Sequence, residues 1–87
     1  MRIDKFLKVS RLIKRRTLSQ IACQNRRVFL NDRVAKPASP VKVGDEITIV
    51  SSVLKLRVKV TAVPAGNVAK GELYEVMEEQ RMMNDEL

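Results

Sequence analysis

Residues 2–16 read Arg2-Ile3-Asp4-Lys5-Phe6-Leu7-Lys8-Val9-Ser10-Arg11-Leu12-Ile13-Lys14-Arg15-Arg16, seven basic side chains against one acid, Asp4. On a helix turning about 100° per residue, Ile3, Phe6 and Leu7 share one side while Arg2, Lys5, Lys8 and Arg11 sweep the other. One face can bury while the opposite face holds a row of cations. A merely solvated helix usually mixes both signs on its wet face, and this stretch does not.

Charge is divided unevenly beyond that stretch. Residues 1–36 hold eleven basic and two acidic side chains, whereas residues 37–87 hold six basic and eight acidic ones. The formal net charge of +7 therefore comes from the N-terminal part, which points to a polyanionic partner for that part. The acidic end is expected to avoid phosphate. A chain of 87 residues makes one small domain. Its only aromatic residues are Phe6, Phe29 and Tyr74, so the core must rest on Val, Ile and Leu.

After the first helix, placed at about 3–10, a bend near 11–15 leads to a second helix over 16–24. Leu18, Ile21 and Ala22 fall on one side of it at i, i+3, i+4, and Cys23 is expected to act as a small buried hydrophobe. Asn25-Arg26-Arg27 leaves that helix with two more cations. Val28-Phe29-Leu30 and Arg33-Val34-Ala35 then flank Asn31-Asp32, two residues that tolerate positive φ, which predicts a tight hairpin. Val28 and Leu30 share one face and Phe29 takes the other, for packing rather than base stacking. Pro37 and Pro40 make 36–40 a connecting loop. Val41 to Glu46 passes through a Gly44-Asp45 turn into a strand over 47–50.

The clearest strand is next, with Leu54, Leu56, Val58 and Val60 alternating with Lys55, Arg57 and Lys59. Its cationic face either extends the basic surface or protects a sheet edge. A short last strand is expected at 73–76. The domain is read as 1–62, with 63–77 a strand extension of it and 78–87 a flexible acidic tail. The fold class is α+β, two N-terminal helices on a small, bent, mostly antiparallel sheet.

Composition excludes several chemistries. With no histidine and one cysteine, the common zinc and Cys/His constellations and an intrachain disulfide are ruled out. Ser10, Thr17 and Ser19 have no visible base beyond nearby Lys14, and the three glycines at 44, 66 and 71 form no phosphate loop. No apolar run approaches a membrane span or follows the basic N-terminus as a secretory signal would. A cytoplasmic binding protein without cofactor is expected, not an enzyme. Arginine supplies a planar fork for phosphate and lysine a point charge. The candidate RNA-binding residues are Arg2, Lys5, Lys8, Arg11, Lys14, Arg15, Arg16, Arg26 and Arg27. Sparse aromatics favour recognition of RNA shape and phosphate over base stacking. A helix-turn-helix protein reading duplex DNA with Arg15, Arg16 and Gln20 stays open.

The order of Arg2, Asp4, Lys5 and Leu7, Lys14-Arg15-Arg16, Val28, Leu30 and Asn31, Lys36-Pro37 and Val43-Gly44-Asp45 resembles the RNA-binding domain named after small-subunit ribosomal protein S4, over roughly residues 1–60. A stand-alone domain of this size resembles two kinds of bacterial factor. One is a small heat-shock protein that binds large ribosomal subunits. The other acts in ribosome-associated quality control, supporting C-terminal tailing of stalled peptides, and the run from Arg2 to Arg16 favours it. The resemblance implies a monomer that contacts large-subunit rRNA and peptidyl-tRNA beside a tailing factor, with Arg2, Lys5 and Arg16 on the contact surface. It leaves an alternative, the RNA-binding appendage of an RNA-modifying enzyme. The chain departs from the family pattern at three places. Arg26 or Arg27 stands where Gly is common, Asp32 follows Asn31 where Gly is usual, and Arg15 stands where Ser or Thr often caps the second helix.

Overall fold

The computed structural model describes residues 1–64 and 72–81. Two helices, α1 (Ile3–Val9) and α2 (Arg16–Gln24), precede strands β1 (Val28–Leu30), β2 (Arg33–Val34), β3 (Glu46–Val50), β4 (Leu54–Val60) and β5 (Tyr74–Arg81). All five strands join one antiparallel sheet in the order β2-β1-β3-β4-β5. The fold is α+β, as the sequence implies. Alternation places Leu30, Ile47 and Val58 in one cross-strand row and Val28, Ile49 and Leu56 in the next. Ile3, Phe6 and Leu7 of α1 are fully buried together with Val28, Ile47 and Val58. Phe29 points to the other face, half-buried, opposite Thr48 and Val34.

The second helix has the expected bounds but not the expected face. Ser19 and Cys23 are its buried residues, whereas Leu18 and Ile21 are 48% and 45% exposed. Small side chains let α2 lie close to its neighbours, and the Ser19 hydroxyl is satisfied by donating to the Arg15 carbonyl at 3.2 Å. The inward direction is thus displaced by about one residue from the apolar stripe.

Helix α2 ends in a Schellman motif. The Arg26 N–H donates to the Cys23 carbonyl at 3.1 Å and the Arg27 N–H to the Ala22 carbonyl at 2.9 Å. Arg26 itself has φ 58°, in the left-handed region that glycine occupies without strain. Arg26→Gly is expected to stabilise the fold by about 1 kcal/mol, seen as a melting temperature higher by about 4–8 °C in a thermal circular-dichroism scan. An unchanged or lower melting temperature would show that the left-handed arginine carries no strain.

Two sequence fragments meet at the far end of the sheet. Asn31 and Asp32 turn the hairpin with φ 51° and 68°. The Asn31 side chain donates to Asp45 Oδ1 at 3.1 Å and accepts from the Glu46 N–H at 2.9 Å. Asp45, buried, also accepts from the Lys42 N–H at 2.9 Å, closing a turn in which Gly44 has φ 95°.

Strand β4 is interior to the sheet, so its lysines do not protect an edge. Arg57 bonds Glu46 and lies 3.6 Å from Asp32, and these partners hold its guanidinium further toward the cation. Across β5, Arg57 opposes Glu78, Lys59 opposes Glu75 and Lys55 opposes Gln80, with a bulge at Met77. The last strand therefore runs past Val76 to Arg81 and takes in Glu78–Arg81, which the sequence reading gave to the tail. The tail from residue 82 on lies outside the described residues.

Candidate nucleic-acid interface

Helix α1 is fixed at its start by the loop that follows the hairpin. The Ile3 N–H donates to the Ser39 carbonyl at 2.8 Å and the Asp4 N–H to the Pro37 carbonyl at 3.2 Å, while the Val41 N–H reaches Met1. That anchoring sets where Arg2, Asp4 and Lys5 stand. Arg15 is the N-cap of α2 in an extended conformation, with no side-chain cap. Arg16 thus begins the helix beside α1.

Arg2, Lys5 and Arg16 line one shallow cleft of about 470 Å³, whose other walls are Met1, Val63 and Pro64. Behind the two arginines lies Asp4, fully buried. Arg2 donates to it through Nε at 3.2 Å and Nη2 at 3.1 Å, Gln20 donates at 3.0 Å, and Arg16 Nε is 3.4 Å away. Burial pushes the Asp4 carboxyl up, but hydrogen bonds from Gln20, Arg2 and Arg16 outweigh it and hold it below its ordinary value. The acid is a charged anchor for two cations whose side chains remain 49% and 43% exposed.

The other candidates are placed as follows. Lys8, Lys14 and Arg15 are exposed on α1 and on the chain entering α2. Arg11 bends the chain with φ 65° and lines a different groove, whose walls include Glu72, Tyr74 and Glu75. Arg26 and Arg27 lie at the opposite end of α2 from Arg16. The structure therefore brings three of the nine sequence candidates to one cleft and spreads the rest. Sequence reasoning missed the part played by Asp4 and Gln20. The available signal was a lone acid beside the apolar stripe of a cationic helix.

The hydroxyls of Ser10 and Ser19 are occupied. Ser10 donates to the Leu7 carbonyl and Ser19 to the Arg15 carbonyl. Burial, with the Asp4 charge adding, pushes the Cys23 thiol up, away from the reactive thiolate. Among the described residues no group of three His, Cys, Asp or Glu side chains suits a metal ion, and no helix is long and apolar enough to cross a membrane.

A two-helix unit on an antiparallel sheet, with arginines gathered at the helix junction, defines a class. The S4 domain family model matches residues 1–47, and the chain belongs to that family. Over 99% of its length the chain is 46% identical to the RQC P-site tRNA stabilizing factor of Halalkalibacterium halodurans, all of which is covered. A protein of the same name from Listeria innocua is 37% identical over 93% of this chain and 90% of its own. Among solved structures, trimeric heat shock protein 15 of Vibrio cholerae superposes with a TM-score of 0.77 over 88% of this chain and 81% of that one, at 24% identity. That last likeness concerns the fold.

Proposed function

We propose that this chain is a non-enzymatic, cytoplasmic RNA-binding factor that engages large-subunit rRNA and peptidyl-tRNA during rescue of stalled nascent chains. The observation that carries the reading is the cleft where Arg2, Lys5 and Arg16 converge at the helix junction. Full-length similarity to proteins named for stabilizing P-site tRNA supports the partner class. The N-terminal cations would meet phosphate, Arg2, Lys5 and Arg16 in the cleft and Lys8, Lys14 and Arg15 from the exposed surface of α1 and of the chain entering α2, while Arg11, Arg26 and Arg27 lie outside the cleft. The duplex-DNA reading loses support, because the Gln20 amide donates to Asp4 and is not free to read a base edge.

Co-sedimentation with purified large ribosomal subunits tests this directly. Arg16→Ala should weaken association by about 1–3 kcal/mol, the range for a charge-assisted contact. Its half-exposed contact with Asp4 stabilises the fold by at most about 1 kcal/mol, so the melting temperature should fall only a few degrees. Arg16→Lys should recover part of the binding, because a point charge does not reproduce the fork. If both variants sediment with large subunits as the parent does, the assignment is wrong.

A further inference from the structure

Asp4 is the only acid among residues 2–16 and the only charged side chain of that stretch that is fully buried. It sits beneath the arginines and is not part of the cleft wall. Its own position is set twice, by the α1 backbone tied to Pro37 and by the Gln20 amide on Oδ2. Arg2 engages it through Nε and Nη2, and Arg16 through Nε. Each guanidinium therefore keeps its Nη1 end turned away from the carboxylate, with donors left for a phosphate. Two cations held against the same oxygen would otherwise repel each other, and their side chains would have to be ordered when RNA arrives.

We propose that Asp4 is a positioning residue for RNA binding, a buried carboxylate that holds Arg2 and Arg16 side by side with their free ends in the cleft. The proposal rests on the RNA-binding reading above. It makes an unusual claim about sign. By charge alone, removing an acid beside a phosphate site should tighten binding slightly, by about twofold through screened solvent. Ordering one long side chain at an interface is worth roughly two- to twelvefold in affinity. With two arginines involved, the ordering effect should win.

The test is a salt series of binding to purified large subunits for the parent, Asp4→Asn, Arg16→Ala and the double variant. Asp4→Asn should bind about tenfold more weakly, with a log–log salt slope shallower by about one as phosphate contact is lost. In the Arg16→Ala background the same change should weaken binding only about threefold, because Arg2 alone remains to be positioned. Binding equal to or tighter than the parent's would overturn the proposal. So would weaker binding with an unchanged slope, which is what a purely structural role would give. A parent that fails to bind large subunits would remove the RNA-binding reading itself, and this inference with it. If Asp4→Asn melts below the assay temperature, Gln20→Leu replaces it. That variant removes one donor from the carboxylate and leaves the charge, and should weaken binding about two- to threefold. Unchanged affinity in it would count against the proposal.

Discussion

Raising monovalent salt from about 50 to 200 mM should weaken association with large-subunit RNA about 250- to 1,000-fold. The expectation follows from counting the cations of residues 2–16 other than Arg11. Arg2, Lys5 and Arg16 line the cleft, and Lys8, Lys14 and Arg15 lie exposed on the same helix and on the chain that leads from it. If about five to six of them meet phosphate, each releases counterions worth ~0.7–0.9 in slope, and log affinity falls with log salt at a slope of about 4–5. Arg11 is left out because Glu72 and Glu75 line the same groove, and Arg57 because Glu46 and Asp32 already hold it. A measured slope near zero would mean that the cationic surface does not carry binding. A slope of about 6–8, the value for nine contacts, would mean that Arg11, Arg26 and Arg27 engage phosphate as well.

Where local pattern decides structure, the sequence was readable. Residues 16–24 and 54–60 become α2 and β4 with the expected ends, because helical spacing and strict alternation are properties of neighbours in the chain. The length of β5 was not readable that way. Glu78 and Glu79 look like the start of an acidic tail until Arg57 and Leu56 stand opposite them on β4. Their place depends on cross-strand register, which no window along 73–81 contains.

The candidate site divides along the same line. Seven cations in fifteen residues are visible at once. Which of them converge depends on Asp4 meeting Gln20, sixteen positions on, and Arg16 across the helix junction. Several fragments that carry the S4 resemblance prove to be joints of the scaffold. Asn31 ties the hairpin to Asp45, and Pro37 receives the Asp4 N–H. Pro37 thereby fixes the start of α1, and with it Arg2 and Asp4, while Asn31 fixes the hairpin to the turn before β3.

The face of α2 offers the sharpest check on this arrangement, through a contrast between two apolar residues. Phe6 is fully buried at the centre of the core, and Phe6→Ala should destabilise the domain by about 3–5 kcal/mol through lost transfer energy and the cavity left behind. For 87 residues at ~0.05–0.15 kcal/mol each, that is about a quarter or more of the total, so the variant should melt tens of degrees lower or fail to fold. Leu18, by contrast, is 48% exposed, and Leu18→Ala should change stability by no more than about 0.5 kcal/mol. Hydropathy alone orders the effects differently, since it turns Leu18 and Ile21 inward. Rotating α2 to bury them would also carry Arg16 away from Asp4 by about one residue's turn, roughly 100°. Denaturant melts of the two variants therefore test the site as well as the fold. A loss for Leu18→Ala comparable to that for Phe6→Ala would place the apolar stripe inside and dissolve the cleft, whereas a small loss keeps Arg16 where Asp4 can hold it.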